Sequence, residues 1–125
     1  MEYVYVFAFQ NGRLLLVKNI NRGWEAPGGK IEEGEQPEAA ARREFLEETG
    51  RALEILCHES VGEGHVFYGI AGDVLQEVHD PVIEDTGLFE ELPHNLAFSV
   101  EEYRELMEHG HDCLVGRGKL LNPTS

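Results

Sequence analysis

The chain has 125 residues, 42% of them hydrophobic, with 24 acidic and 10 basic side chains and a formal net charge of −14. This length and apolar content predict a single globular domain, residues 1–125, and exclude an intrinsically disordered chain. The negative charge argues against polymeric DNA or RNA as a partner, because nucleic-acid binding depends on Lys and Arg side chains. No apolar stretch approaches the length of a membrane span and no signal peptide is recognisable, so we expect a cytoplasmic protein with no membrane partner.

A β-hairpin is predicted at the start of the chain. In residues 3–9, aromatic side chains alternate with small aliphatic ones, a pattern typical of a strand that is buried on both faces. Asn11 and Gly12 form a strong hairpin turn signal, and the apolar residues 13–18 supply the returning strand. The aromatic row of the first strand is interpreted as core, with a stacking surface for a base as the alternative.

A glycine-rich loop followed by a helix is predicted for residues 28–50, GGKIEEGEQPEAAARREFLEETG. Pro37 suits the first helical position, and Gly50 suits the C′ position that ends a helix. Between them most residues favour helix. Phe45 and Leu46 lie on one side of this helix, toward the expected core, while the other side is acidic.

Three carboxylates define the acidic side of this helix. Glu44, Glu47 and Glu48 are spaced at i, i+3 and i+4, so they share an arc about 100° wide. Two such charges ~4 Å apart repel by ~1 kcal/mol in water and by ~4 kcal/mol at an effective dielectric constant of ~20. The arrangement therefore favours a cation among them. Carboxylate oxygens suit Mg²⁺, with Mn²⁺ as a substitute, and Mg²⁺ commonly bridges carboxylates to substrate phosphates.

The second half of the chain continues with strands and a final helix. Strands are predicted at residues 53–61, 65–74 and 87–90. A helix is predicted at residues 99–109, with Ser99 as its N-cap, Glu102 completing a capping box and Gly110 as its stop. This mixture of elements predicts a layered α+β (mixed α/β) domain.

The two cysteines, Cys57 and Cys113, show no CxxC spacing. We expect both to be reduced thiols, with a disulfide between them as the less favoured alternative. Around the second one, His109, His111 and Asp112 are metal-binding residue types without the paired spacing of a zinc site, so no metal is expected there.

The glycine-rich loop and acidic helix resemble the Nudix signature, G-x5-E-x7-R-E-U-x-E-E-x-G-U, in which U is an apolar residue. The matching residues are Gly29, Glu35, Arg43, Glu44, Phe45, Glu47, Glu48 and Gly50, while Arg51 occupies the last apolar position. The resemblance implies the Nudix fold, a mixed β-sheet between helices. It also implies metal-assisted hydrolysis of a nucleoside diphosphate linked to another group, with attack of water on the pyrophosphate.

The resemblance also implies roles for individual residues of the signature. Glu47 and Glu48 are implied metal ligands, and Glu44 a ligand or a base beside one. Supporting roles fall to Glu35 and Arg43, which brace the site, and to Gly28 and Gly29, which let the backbone approach metal or phosphate, with the carbonyl of Gly28 as a further candidate ligand. Lys30 is a candidate phosphate contact.

The general base is not fixed by the signature, because it varies among Nudix enzymes. Glu84 is the favoured candidate, since it lies just before a predicted strand where some relatives keep an acidic residue. Asp85 and Glu63 are alternatives.

The substrate is expected to be a small nucleotide. Residues 24–30, WEAPGGK, are similar to the lead-in of mutator-type enzymes that cleave 8-oxo-dGTP and other nucleoside triphosphates, so Trp24 and Glu25 are candidates to frame a base pocket. Ala26 replaces a Phe of that subgroup, which predicts a wider pocket. Tyr68 lies about where diadenosine polyphosphate hydrolases have a Tyr.

Two alternatives to a nucleoside triphosphate hydrolase stay open at this point. The first is a hydrolase of diadenosine polyphosphates or of ADP-ribose-type compounds. The second is a non-catalytic nucleotide sensor, which the complete set of three carboxylates disfavours. A monomer and a homodimer are both compatible with the sequence.

Overall fold

The computed structural model describes residues 2–116, so the predicted domain extends at both ends beyond what is described. The strands are β1 (Tyr3–Gln10), β2 (Arg13–Asn19), β3 (Gly23–Glu25), β4 (Gly28–Lys30), β5 (Arg51–Val61), β6 (Gly64–Val74) and β7 (Ile83–Phe89), and the helices are α1 (Pro37–Thr49) and α2 (Val100–Gly116). All seven strands join one mixed sheet with the order β3-β2-β1-β6-β5, in which β4 also pairs with β1 and β7 with β2. The predicted α+β fold is confirmed.

Strand β1 is the centre of the sheet. It runs parallel to β6 and antiparallel to both β2 and β4. Next to the hairpin, Phe9 pairs with Leu14, whereas near the start of β1 Tyr5 pairs with Gly28 of β4. Strands β1 and β2 therefore diverge, and the turn between β3 and β4 enters the gap, where the Val6 N–H donates to the Pro27 carbonyl at 2.8 Å. This split positions the two glycines of β4 in front of α1.

Both faces of β1 are buried, as its alternating pattern predicts. One face, which includes Val4 and Val6, packs on Phe45 of α1. The other, which includes Phe7 and Phe9, packs with Tyr103 of α2. Each fully buried side chain of this size contributes roughly 1.5–3 kcal/mol relative to exposure, so the two layers hold the helices on opposite faces of the sheet.

Helix α1 begins and ends as predicted. Pro37 is at the start, and Gly50 has the left-handed φ of 72° and donates its N–H to the Leu46 carbonyl at 2.8 Å. Phe45 is fully buried, which fixes the rotation of the helix and turns its acidic side away from the core. Arg51, the residue that departs from the signature, opens β5 and donates to the Gly72 carbonyl at 3.0 Å.

Strand β7 begins earlier than predicted. The sequence indicated residues 87–90, whereas the strand starts at Ile83 and ends at Phe89. The polar residues between Ile83 and Gly87 show no apolar alternation, yet the backbone pairs with β2, with a register shift between Lys18 and Asn19. Pairing with a neighbouring strand overrode the local signal.

Helix α2 has the predicted N-cap but not the predicted end. The Ser99 hydroxyl accepts a hydrogen bond from the Glu102 N–H at 3.1 Å. The prediction that Gly110 stops the helix is wrong, because α2 continues to Gly116. Gly110 is buried against the Tyr68 ring, and a Cβ atom there would lie 2.4 Å from Tyr68 Cδ1. This glycine permits close packing and does not act as a cap.

The expectation of two reduced thiols is also wrong. Cys57 on β5 and Cys113 on α2 form a disulfide, with their Cα atoms 6.2 Å apart. That separation is within the normal range for a disulfide, but it depends on how α2 crosses the sheet, which no sequence spacing reveals. Among the described residues, no helix is both long and apolar enough to cross a membrane.

Candidate functional site

The two glycines of β4 lie directly against the acidic side of α1. A Cβ atom at Gly29 would lie 2.6 Å from the Glu44 carboxylate, and one at Gly28 would lie 2.1 Å from the Val4 carbonyl oxygen. The Gly28 N–H donates to Glu48 Oε1 at 3.2 Å. Glycine at position 28 thus permits close pairing with β1, and glycine at position 29 leaves room for the Glu44 carboxylate against the backbone.

Arg43 organises the carboxylates of the signature. Its Nε and Nη2 donate to the two oxygens of Glu35 at 2.7 and 2.9 Å, a bidentate pair. Its Nη1 donates to Glu44 at 2.9 Å and makes a long contact of 3.5 Å with Glu47, and Nη2 also reaches the Lys30 carbonyl at 3.1 Å. The hydrogen bond from Arg43 lowers the pKa of Glu35 to about 2, so this anchor stays ionised. The geometry fits the bracing role that the resemblance implied for both residues.

The carboxylate trio (Glu44, Glu47 and Glu48) spans a gradient of burial. Glu48 is 8% exposed, and burial, with smaller contributions from neighbouring acids, raises its pKa to about 8 against the opposing Gly28 N–H. Burial likewise raises the pKa of Glu44, although Arg43 counteracts it. Glu47, by contrast, is 52% exposed. Burial thus disfavours the charged forms of Glu44 and Glu48, and a divalent cation beside them would favour those forms.

The residues fit a hard divalent cation, since the trio offers only oxygen ligands. Within the described residues, however, no group of three His, Cys, Asp or Glu side chains is arranged as a ready metal centre. Glu44 and Glu47 are turned toward Arg43 instead. The contact of Glu47 with Arg43 is long, at 3.5 Å, and the Glu47 side chain is 52% exposed, so packing does not fix its rotamer.

Asp80 is a member of this site that the sequence did not reveal. The N–H groups of Leu75 and Gln76 both donate to the Gly50 carbonyl, which folds the segment after β6 over the end of α1. The charge of Asp80, which lies in this segment, contributes to raising the pKa values of both Glu44 and Glu48. A cavity of about 270 Å³ lies here, lined by Glu47, Gln76, His79 and Asp80. The sequence indicated only an acidic loop here. The hydrogen bonds to the Gly50 carbonyl, which place this loop beside the carboxylates of α1, could not be predicted from it.

The proposed base positions lie elsewhere. Glu84 is on β7, where its carboxylate is 3.3 Å from Lys18 Nζ of the neighbouring strand. Asp85 caps its neighbour, accepting the Thr86 N–H at 2.8 Å, and Glu63 is exposed in the turn between β5 and β6. Asp80, which was not among the candidate bases of the sequence analysis, interacts electrostatically with Glu44 and Glu48, whereas the predicted Glu84 pairs with Lys18.

Two adjoining cavities open beside β4. The glycine-side cavity, about 290 Å³, is lined by Tyr3, Tyr5, Arg22, Glu25, Gly28 and Gly29 together with Ala26 and Phe98. The apolar cavity, about 180 Å³, shares Tyr5, Ala26 and Phe98 with it and extends to Phe7, Glu102, Tyr103 and Leu106. Tyr103 fixes the junction, because its hydroxyl accepts the Ala26 N–H at 2.8 Å. A larger open groove of about 440 Å³ at the start of α1 contains none of the predicted site residues.

Two residues predicted to contact substrate, the partly buried Trp24 and the buried Tyr68, pack with the core and line neither cavity. Trp24 stacks edge-on against Phe89, with ring centroids 4.8 Å apart, and lines neither cavity. Tyr68 is 1% exposed and donates its hydroxyl to Glu59 at 3.0 Å, so its ring has no surface for a ligand. Glu25 does line the glycine-side cavity, and Lys30 is exposed at the end of β4.

Comparisons with known proteins agree with this geometry. YtkD of Bacillus subtilis (strain 168), which carries the provisional name 8-oxo-dGTP diphosphatase, is 31% identical over 105 residues, covering 77% of this chain and 66% of that protein. An ADP-ribose pyrophosphatase of the same organism is 31% identical over 102 residues, covering 78% of this chain and 51% of that protein. The chain thus spans about half to two thirds of the length of these relatives.

The fold and the family are established by two further matches. The crystal structure of the Bacillus subtilis pyrophosphohydrolase BsRppH superimposes with a TM-score of 0.72, covering 94% of this chain and 82% of that chain at 28% identity. The family model of the NUDIX domain matches residues 2–115, nearly all of the described chain. Since this match contains the glycine strand, the acidic helix and the sheet that positions them, the chain belongs to the Nudix family.

Proposed function

We propose that the protein is a nucleotide pyrophosphohydrolase that depends on a divalent metal ion. The observation that carries the proposal is the pair of glycines in β4, which line the glycine-side cavity and also lie against Glu44 and Glu48. A phosphate chain that enters the cavity would meet the backbone of β4, and the carboxylates lie beside that backbone. Because Glu44, Glu47 and Glu48 are all present, the alternative of a non-catalytic nucleotide sensor is disfavoured.

The chain's own residues would hold and tune the metal. The carboxylate trio supplies oxygen ligands for Mg²⁺, with Mn²⁺ as a substitute, and the Gly28 carbonyl remains a candidate ligand. When bound, such an ion polarises phosphoryl oxygens and neutralises charge on the leaving group. Glu48 holds a proton near neutral pH and must release it to become a ligand. Arg43 keeps Glu44 oriented, and Asp80 is the candidate to accept a proton from water.

The substrate that fits best is a free nucleoside triphosphate, with an oxidised purine as the specific candidate. The apolar cavity offers the aromatic side chains of Tyr5 and Phe98 to a base, and Glu102 offers a carboxylate acceptor for base N–H groups. Ala26 leaves the junction of the two cavities wide, which favours loose base selectivity. The name of YtkD supports this substrate, while the similarity to an ADP-ribose pyrophosphatase keeps that class as the second candidate.

Other properties expected from the sequence remain proposals. The net charge of −14 disfavours polymeric nucleic acid, so the partner is a small nucleotide, bound by a monomer or a homodimer. A cytoplasmic location stays a prediction. The disulfide between Cys57 and Cys113 argues against it, because structural disulfides are more usual in oxidising compartments.

The test is a comparison of kcat/KM for 8-oxo-dGTP, dGTP, ADP-ribose and a diadenosine polyphosphate at one Mg²⁺ concentration. Pyrophosphate from the triphosphates is followed as phosphate after treatment with pyrophosphatase, and the nucleotide products of ADP-ribose and the diadenosine polyphosphate are followed by chromatography. The proposal expects monophosphate and pyrophosphate from the triphosphates. If ADP-ribose or the diadenosine compound exceeds both triphosphates by about tenfold, equivalent to about 1.4 kcal/mol, the substrate assignment is wrong.

A further inference from the structure

Arg22 and Glu25 form an ion pair at the wall of the glycine-side cavity. Arg22 Nε donates to Glu25 Oε1 and Nη2 donates to Glu25 Oε2, both at 2.9 Å. The Glu25 side chain is 9% exposed, whereas the Arg22 side chain is 59% exposed. A buried carboxylate therefore holds the fork of an arginine whose outer edge faces solvent.

Arg22 has donors to spare in this arrangement. A guanidinium has five N–H groups, and the bidentate pair uses one on Nε and one on Nη2. Within the described part of the chain, the other N–H groups of Arg22 make no hydrogen bond. The same guanidinium is the only Lys or Arg side chain among the described residues that line the cavity with Gly28 and Gly29.

The surrounding charge makes this single cation significant. Glu48 interacts electrostatically with both Arg22 and Glu25, so the ion pair lies near the buried member of the carboxylate trio. Without Arg22, a phosphate chain that enters this cavity would meet the Glu25 carboxylate and no positively charged side chain among the described lining residues. A metal ion can neutralise only the phosphates that it contacts.

We propose that Arg22 binds a phosphate group of the substrate through its outer N–H groups, and that Glu25 is the positioning residue that holds Arg22 for this contact. The inference rests on the proposed nucleotide hydrolysis and assigns Glu25 a different role from the substrate contact expected from the sequence. Arginine suits the task because it satisfies a carboxylate on one edge and a phosphate on another, which lysine cannot do.

The first experiment measures KM and kcat for dGTP, and the affinity for inorganic tripolyphosphate with Mg²⁺ by calorimetry. For Arg22→Ala we expect KM to rise and tripolyphosphate affinity to fall by about tenfold, with kcat within about twofold of the wild type. Arg22→Lys keeps the charge without the fork and is expected to lose about threefold. The matched control is Arg13→Ala, which removes an exposed arginine paired with Glu90 and should change neither quantity.

The second experiment separates the two partners with a double-mutant cycle. Glu25→Gln releases Arg22, so KM is expected to rise by about threefold, and the double variant Arg22→Ala/Glu25→Gln should be no worse than Arg22→Ala. If the two effects multiply instead, Glu25 contacts the substrate itself and the positioning role is overturned.

The results also distinguish this inference from the proposed function. Unchanged KM and unchanged tripolyphosphate affinity in Arg22→Ala would overturn the phosphate contact, even if the wild type hydrolyses triphosphates. A lower melting temperature with unchanged affinity would overturn it equally, since the pair would then be structural. If the wild type cleaves no nucleotide but Arg22→Ala weakens tripolyphosphate binding, the phosphate contact stands and the assigned reaction fails.

Discussion

Helices α1 and α2 pack on opposite faces of one sheet, and each is associated with a glycine that has a different structural role. Gly50 ends α1 with a left-handed φ of 72°, and its carbonyl then accepts the N–H groups that bring Asp80 to the site. Gly110 lies inside α2 and not in a turn. Because it has no side chain, the Tyr68 ring packs directly against the helix backbone at this point. The same residue type therefore serves backbone conformation on one face and packing on the other.

The two helices also differ in what their partners stabilise. Helix α1 brings carboxylates against β4, an arrangement that costs stability until a cation arrives. Helix α2 is attached by the disulfide, by Gly110 on Tyr68 and by the Tyr103 hydroxyl at Ala26. Changes on the α1 side should therefore affect activity more than stability, and changes on the α2 side should do the reverse.

The largest effect is expected at the carboxylate trio. Glu47→Gln and Glu48→Gln should each lower kcat by about 10²–10⁴-fold, because each removes a charged ligand or base, while Phe45 keeps the helix in place. Steady-state kinetics at saturating Mg²⁺ measures the loss, and Glu38→Gln, an exposed residue of the same helix, is the matched control. Near-normal turnover in either variant would remove that residue from the mechanism.

The α2 side should respond most strongly to loss of the disulfide. Cys57 and Cys113 are 56 residues apart in sequence, and closing such a loop stabilises the folded state by about 4 kcal/mol in the chain-entropy account. Treatment with a thiol reductant, or Cys113→Ser, should lower the free energy of unfolding by up to that amount in urea titrations. Activity measured well below the melting transition should stay close to that of the untreated protein. A reductant that leaves the urea midpoint unchanged would contradict this prediction.

Two glycine substitutions sharpen the contrast between the faces. In Gly110→Ala the new methyl group meets the buried Tyr68 ring, so the free energy of unfolding should fall by about 1–3 kcal/mol with kcat/KM retained. In Gly29→Ala it meets the Glu44 carboxylate, the movable end of a side chain, so Glu44 is displaced. There kcat/KM should fall by about 10–100-fold, with stability within about 1 kcal/mol of the wild type.

Each variant is the control for the other, measured by urea denaturation and by steady-state kinetics. The contrast fails if Gly29→Ala unfolds more easily than Gly110→Ala, or if Gly110→Ala loses more activity.

Local signals were sufficient for the α1 side. Asn11 and Gly12 predict the hairpin, with φ of 52° and 78°, and Pro37 and Gly50 predict both ends of α1. These signals work because turns and caps depend on a few neighbouring residues. The spacing of the trio likewise follows from helix geometry alone.

Most of the features that escaped prediction depend on contacts between residues that are distant in sequence. From the sequence alone, Gly110 is interpreted as a helix stop, because its packing against Tyr68 is not visible there. Cys57 and Cys113 are likewise interpreted as separate thiols, because the sequence does not show that α2 packs on β5. Asp80 is one acid among several in its loop, and that loop is placed by hydrogen bonds from the N–H groups of Leu75 and Gln76 to the Gly50 carbonyl. Arg22 was overlooked because an arginine in a polar loop has no sequence signature for its pairing with a buried carboxylate.

If Glu48 is a buried ligand for a divalent cation, the free energy of unfolding of the metal-free protein should depend on pH. In the unfolded chain Glu48 ionises near pH 4.5, whereas burial keeps its proton in the metal-free native state up to about pH 8. The native state binds the extra proton between these values. Its stabilising effect is therefore complete below pH 4.5 and is lost as the pH rises to about 8. The other acidic groups titrate in Glu48→Gln as well, so the difference between the two proteins isolates this one residue.

The direct measurement is the free energy of unfolding of the wild type and of Glu48→Gln at pH 8, without metal and with saturating Mg²⁺. Without metal, Glu48→Gln should be the more stable protein by roughly 4 kcal/mol, a difference that shrinks to below about 1 kcal/mol at pH 5. With Mg²⁺ the order should reverse, because an ion that binds the native wild type selectively must stabilise it. Equal stabilities at both pH values, or the same gain from Mg²⁺ in both proteins, would contradict the claim that Glu48 is a buried metal ligand.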